Sequence, residues 1–301
     1  MTSSPFNADE LQAQARAGKG AAGAGIRNFM PDQHRSFFAL LPYVFVATTD
    51  ADGWPLATML TGAPGFVHSP DPATLRVDAL PDRRDPAADA FGDGQELGIL
   101  GIDLATRRRN RANGRIAARD AAGFTLAVHQ SFGNCAKYIQ LREVRRVPLL
   151  PAPVEVLAGL DDAARAVIAQ ADTLFVASRA RPDVGAAGGL DMSHRGGRPG
   201  FVRRDGDTLV VPDFAGNRFF NTLGNLSGEP RAALLFIDFA TGDLLQLQGR
   251  ATIDWGARVL SVGVERQWRF EVARGWRRPA AIPLRWSFLE YSPATLGTGV
   301  P

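Results

Sequence analysis

Asp191-Met-Ser-His-Arg-Gly-Gly197 gathers residue types suited to holding an anion. Ser193, His194 and Arg195 supply side-chain donors, and the two following glycines let backbone N–H groups approach a ligand closely. Further along, Gly216-Asn217-Arg218 reads as the start of a short helix. There, unpaired N–H groups favour phosphate, and the Arg218 guanidinium adds a two-pronged donor. The same composition also suits a Gly-rich surface turn followed by an ordinary helix cap. Local chemistry leaves both open.

A second group lies in His129 to Gln140, which holds the only cysteine, Cys135, and one of two lysines, Lys137, beside Tyr138. Asn134 predicts a cap for a helix beginning near Cys135, with Lys137 and Tyr138 in its first turn. A lysine there opposes the helix dipole and calls for an anion. Cys135 at that end is either a low-pKa thiol or a small packed hydrophobe. Arg107, Arg108, Arg109, Arg111 and Arg115 form the densest charge run, either a solvated turn or an anion-facing hairpin. The four histidines have no ligand spacing, so a metal site is unsupported. Neither a Gly-x-Gly-x-x-Gly after a strand nor a P-loop is present, which disfavours the usual dinucleotide and triphosphate folds.

These residues sit in an internal repeat. Gly65-Phe-Val recurs at Gly200, Ile102-Asp-Leu-Ala-Thr recurs as Ile237-Asp-Phe-Ala-Thr, and Gly114-Arg115 recurs as Gly249-Arg250, each at an offset of 135 residues. Phe45-Val-Ala matches Phe175-Val-Ala at 130. A period this long marks a duplicated domain rather than a solenoid. The offset maps Ser193 to Thr58, Arg195 to Leu60, Asn217 to Asp82 and Arg218 to Arg83. Asp82 would repel a phosphate that Asn217 accepts, so a single anion site belongs to the second copy.

Each copy opens with a helix, over 31–41 and 163–170, the second capped by Asp161-Asp162. Strands are predicted over 43–49, 56–61, 74–80, 97–103, 113–119 and 123–129, then 172–178, 200–203, 208–212, 231–237, 243–248 and 249–254. Short helices are predicted around 86–91 and 217–223. Short strands between Asp-Gly, Pro-Asp and Gly-Glu-Pro turns predict antiparallel barrels. The expected fold is α+β, mainly β, with two tandem split antiparallel β-barrels. The expected organisation is a flexible N-terminal extension over 1–30, a first barrel over 31–147, a linker over 148–159 with three prolines in 148–153, and a second barrel over 160–301.

Composition narrows the classes. The 301 residues are 45% hydrophobic, enough for two cores and unlike a disordered chain. No run reaches the roughly 18 apolar residues of a membrane helix, and no signal-peptide layout is read in 1–30, so no membrane partner and a cytoplasmic address are expected. One cysteine rules out an internal disulfide framework. A net charge of +3 does not argue for nucleic acid by itself. All but two of the 34 basic residues are arginine, a skew that genome composition explains in bulk.

Asp191-Met-Ser-His-Arg-Gly-Gly-x-Pro-Gly-Phe-Val202, Pro212-Asp-Phe-Ala-Gly-Asn-Arg218, Gly228-Glu-Pro230 and Leu235-Phe-Ile-Asp238 together resemble the pyridoxamine 5′-phosphate oxidase-like flavoproteins, the FMN-binding split β-barrels. In the first copy, Gly62-x-Pro-Gly-Phe-Val67 and Ser131-Phe-Gly-Asn-Cys-Ala-Lys-Tyr-Ile139 extend the resemblance, which covers most of 31–255 and is to the tandem, two-barrel branch. The resemblance implies FMN between two barrels, hydride transfer at flavin N5 with a small-molecule substrate, and a nicotinamide electron donor. Homodimerisation is allowed but not required. It implies that Ser193, His194 and Arg195 lie near the flavin and its phosphate. Arg218 stands where the family often carries a phosphate-binding lysine, with Asn217 beside it, and Lys137 and Tyr138 come from the partner barrel. Because the redox chemistry belongs to the flavin, no catalytic residue is named. A non-catalytic flavin carrier, a heme or deazaflavin barrel, and a basic nucleic-acid module using Arg107 to Arg115 remain the alternatives.

Overall fold

A computed structural model of the chain describes residues 4–149, 152–256 and 262–298. Helices α1 (Ala8–Arg16) and α2 (Asp32–Leu40) precede strands β1 (Tyr43–Thr49), β2 (Pro55–Thr61), β3 (Val67–His68), β4 (Thr74–Val77), β5 (Glu96–Asp103), β6 (Arg108–Arg119), β7 (Phe124–Gly133) and β8 (Leu141–Arg146). Then come β9 (Glu155–Leu157), α3 (Asp162–Gln170), β10 (Thr173–Arg179), β11 (Leu190–Gly196), β12 (Arg203–Asp205) and β13 (Thr208–Phe214). The chain continues through α4 (Asn221–Gly228), β14 (Arg231–Ile237), β15 (Leu244–Asp254), β16 (Val264–Arg278), β17 (Leu284–Glu290) and α5 (Pro293–Leu296).

The fold is mainly β, with antiparallel pairing in both large sheets. The first sheet runs β2-β1-β5-β6-β7-β4-β3 and the second β11-β10-β14-β15-β16-β13-β12, with β9 added beside β16. Adding nine to every strand label of the first order gives the second. β8 and β17 pair with each other as a separate ribbon. No helix among the described residues is long and apolar enough to cross a membrane.

Period-2 alternation explains how both faces of each sheet are buried. Val44 and Val46 of β1 point into a core with Leu56, Leu75, Ile99, Ala112 and Leu126, so residues from distant strands meet and the sheet must curl around them. The alternate residues Tyr43, Phe45 and Ala47 face the other way, into a cluster shared with Phe175, Ala177, Met192 and Leu235 of the second sheet. There the Phe45 and Phe175 rings stack at 3.6 Å and 14°. Truncating either aromatic would cost about 3–5 kcal/mol. Gly98 on β5 lies so close to β11 that a Cβ would sit 2.5 Å from the Leu190 carbonyl oxygen, which sets how tightly the two sheets meet.

Several elements differ from the sequence expectation. The region 86–91 forms turns, and the helix expected over 217–223 begins at Asn221. Residues 134–140 form no helix, so Asn134 caps nothing and no helix dipole acts on Cys135 or Lys137. The segment around Ser193 is strand β11, which decides between the strand that the family resemblance implies for Ser193 and Arg195 and the turn that local composition also suits. The expected strands 243–248 and 249–254 are one strand, β15, with a bulge at Gln248/Gly249.

Residues 8–16, expected within a flexible extension, form α1. Asn7 and Glu10 make a reciprocal capping box, and Asp9, Glu10, Ala13 and Gln14 are buried. Asp9 accepts from Arg181 at 2.7 Å, and Phe6 meets Phe219 edge-on at 5.5 Å. Within the expected linker, β9 pairs with Gly275 to Arg277, while residues 150–151 lie outside the described residues.

Candidate functional site

One cleft between the sheets collects side chains from both. Ser193, His194, Arg195, Asn217, Arg218, Lys137 and Tyr138 all line it. The two motifs that sequence alone could not join, 134–138 and 191–218, are thus opposite walls of one site.

β11 supplies the floor. It lies at one end of the second sheet, beside β10, and Ser193 and Arg195, two residues apart and so on one face, both line the cleft. Opposite them, β6 of the first sheet presents Arg109 and Arg111, two residues apart and therefore on one face. Sequence reasoning left these two inside an undecided charge run. Strand alternation around Asn110 was the signal that separates them from their neighbours.

Arg111 is nearly buried and donates to Asp191 Oδ1 at 3.1 Å and to Ser193 Oγ at 2.5 Å. Asp191 also accepts from Asn113 at 2.8 Å and Asn225 at 3.0 Å. Ser193 Oγ lies 2.8 Å from the Thr222 hydroxyl at the start of α4. Arg195 and Arg266 share the Asp213 carboxylate, at 3.1 and 2.9 Å. Asn217 Nδ2 donates to Asn134 Oδ1 at 3.0 Å, joining the two walls directly. Arg218 is exposed at the rim, in the left-handed region with φ 63°.

Arg109 has no carboxylate partner among the described residues. Its Nε donates to the Cys135 carbonyl at 2.9 Å and its Nη1 to His194 Nδ1 at 3.0 Å, with Cys135 Sγ 3.7 Å from Nη2. Burial pulls its pKa down to about 10, with the neighbouring Arg111 and Arg195 charges adding to the fall. It remains a cation at neutral pH. His194 is 6% exposed. Burial first, then the charges of Arg109, Arg195 and Arg142, hold its pKa well below the usual imidazole value, so it is neutral. A guanidinium cannot accept, so Nδ1 carries the lone pair and Nε2 the proton. Nε2–H has no partner among the described residues.

It is not alone. Arg111 Nε, Asn134 Nδ2 and Arg195 Nε are likewise buried N–H groups without a partner, and all four residues line the cleft. These four atoms are themselves closed off from the open space of the cleft. An apolar wall faces them. Tyr138 stacks on Phe214 at 5.1 Å and donates its hydroxyl to the Ala215 carbonyl, and Phe220 and Leu223 continue the wall.

The backbone allows this only through one glycine. A Cβ at Gly196 would lie 2.0 Å from the Tyr138 carbonyl oxygen, so any larger residue would force the 134–138 segment away from β11. On the outer side, α1 braces α4. Asn221 donates to the Glu10 carboxyl and Gln14 to the Phe219 carbonyl at 3.1 Å. Burial, then the nearby Asp191 charge, pushes Glu10 up to about 8.

Asp82, expected to repel an anion in the first copy, is instead a surface residue paired with Arg84 at 2.7 Å.

No protein-family model and no curated protein matches the chain. Three solved structures are similar in part. A HupZ protein from Group A Streptococcus has 13% identity and a TM-score of 0.30, covering 39% of this chain and 98% of its own. An FAD-binding protein from Mesorhizobium loti has 10% identity and a TM-score of 0.28, covering 42% and 97%. A protein assigned to 5-nitroimidazole antibiotic resistance, from Bacteroides thetaiotaomicron, has 12% identity and a TM-score of 0.29, covering 48% and 97%.

Proposed function

We propose that the chain is a flavoprotein that binds FMN in this cleft and works as an oxidoreductase on a small molecule. The observation that carries this reading is the convergence of Arg109, Lys137 and Arg195 on one cleft walled by the stacked rings of Tyr138 and Phe214. FMN has a dianionic phosphate, a flat apolar ring and acceptor atoms along the ring edge, and the cleft offers a counterpart to each. Arg109, Arg195 and Lys137 would hold the phosphate, with Ser193 and Asn217 as neutral donors and Arg218 at the mouth. Tyr138, Phe214 and Phe220 would lie against the ring and exclude water. When bound, the flavin supplies hydride chemistry at N5. The chain's part is to grip, orient and desolvate.

The inward turn of Arg109 and Arg111 removes the centre of the arginine run from any surface stripe for nucleic acid. The shared strand order and the 135-residue offset support tandem units over 31–147 and 160–301, which would supply both walls of the cleft from one chain.

Anaerobic mixing of the FMN-loaded protein with NADH and NADPH tests the enzymatic part. Bleaching of the flavin band, followed by reoxidation with a small-molecule acceptor, supports an oxidoreductase. Binding without reduction by either donor or by dithionite-linked substrates would leave only a flavin carrier.

A further inference from the structure

The register of the two sheets places a second set of residues in the positions that line the open cleft. Across β5 and β6, Arg111 opposes Leu100; across β14 and β15, Gln246 opposes Leu235, so Gln246 occupies the place of Arg111. Thr58 opposes Val46 on β1 as Ser193 opposes Val176 on β10, so Thr58 occupies the place of Ser193. Arg278 opposes Leu244, as Asn134 follows β7 against Arg109, so Arg278 occupies the place of Asn134. The counterpart thus keeps a hydroxyl, an amide and one guanidinium, with the positive charge moved from the β6 position to the end of β16.

These three groups converge on a carboxylate. Asp85, 4% exposed, accepts from the Thr58 hydroxyl, from Gln246 Nε2 at 3.2 Å and from the Arg278 guanidinium, and its Oδ1 also accepts from the Ala87 backbone N–H at 2.9 Å. Asp85 belongs to the turn 135 residues before Phe220, the residue that enters α4 and lines the open cleft. The same loop that leaves room for a ligand in the second unit inserts a side-chain anion in the first.

We infer that the chain carries a second anion cradle at this position, filled by its own Asp85 carboxylate, and that without that carboxylate the cradle binds a phosphate-class anion. The inference does not depend on which ligand the open cleft takes. It predicts that the natural chain has one external anion site rather than two. Arg278 is nearly buried, so it cannot be left without a partner at no cost, and an external oxyanion is the group its surroundings can accept.

Inorganic phosphate tests it, titrated calorimetrically into the full chain and into Asp85→Ala. The variant should bind one more phosphate equivalent than the parent, at least about tenfold tighter than Asp85→Ala/Arg278→Leu, in which the guanidinium is also removed. Its melting temperature should rise with phosphate by more than the parent's. Equal stoichiometry and equal phosphate-dependent shifts in parent and variant would overturn the inference. If Asp85→Ala folds only with phosphate present, the refolding yield in phosphate against chloride reads the same result. Failure in both salts, with no extra equivalent in Asp85→Asn, would overturn it as well. Because the readout is phosphate at a site away from the open cleft, its failure leaves flavin binding untouched.

Discussion

Arg109 is the residue whose removal should separate binding from stability. It is held in a desolvated place by two neutral acceptors, His194 Nδ1 and the Cys135 carbonyl, with no carboxylate to balance it. The fall of the Arg109 pKa from its ordinary value to about 10 corresponds to about 3 kcal/mol of unfavourable free energy for keeping the charge in the ligand-free fold. Arg109→Met removes that cost and keeps much of the side-chain volume. It also loses two charge-assisted hydrogen bonds, together about 3–6 kcal/mol. The net change in unfolding free energy without flavin should therefore lie between no change and about 3 kcal/mol of lost stability. In contrast, FMN affinity should fall by about 1.5–3 kcal/mol, the range for a charge-assisted bond, or roughly ten- to a hundredfold in Kd. Urea denaturation and a fluorescence titration with FMN measure the two quantities on the same sample. A loss of more than about 3 kcal/mol in stability together with unchanged FMN affinity would refute the reasoning and make Arg109 a purely structural residue.

Other substitutions probe the walls separately. Gly196→Ala places a methyl group against the Tyr138 carbonyl and should cost about 1–3 kcal/mol of stability while weakening FMN binding, readable by thermal melting and titration. Arg218→Ala, at the exposed rim, should weaken binding only several-fold, an effect that high salt erases, whereas the loss from Arg195→Ala should persist in salt. Glu10 gives a pH signature. Its folded pKa of about 8 lies above the ordinary 4.5, so its contribution is complete below pH 4.5 and is lost as pH rises towards 8. The site's slope is at most about 1.4 kcal/mol per pH unit, and Glu10→Gln should flatten the stability profile in that window.

Much of the fold was legible because apolar residues repeat with period 2 and turn residues separate them. Val44, Val46, Leu97 and Ile99 are examples, and the repeated Ile-Asp-x-Ala-Thr hairpins fixed the correspondence between halves. The misses have physical causes. Local composition at β11 also suits a turn because Asp191, Ser193, His194 and Arg195 are polar; the last three line a cleft, Asp191 is bonded to Arg111, Asn113 and Asn225, and only the first-copy counterpart β2 shows the apolar pattern. β16 was passed over although Trp268, Phe270 and Val272 alternate with Gln267, Arg269 and Glu271. Its offset from β7 is 144 residues rather than 135, since Trp276 opposes Gln246 as Phe132 opposes Arg111.

The site was legible in its parts but not in its assembly. Side chains at 137–138, 193–195 and 217–218 were identifiable as anion-binding types, and the fold brings them together. Arg109 and Arg111 were hidden in a run of five arginines, because direction depends on where a strand begins. Asp85 carries no local signal at all. Its role appears only when Thr58, Gln246 and Arg278, distant in sequence, meet at one carboxylate.

Titration of FMN into the purified chain, followed by flavin fluorescence quenching and the absorbance band, tests the central claim most directly. Saturation at one FMN per chain, with that binding lost in an Arg109→Met/Arg195→Ala double variant, is the expected result. A chain that quenches no flavin fluorescence at micromolar concentrations, or that binds FMN equally well without those two arginines, would contradict it.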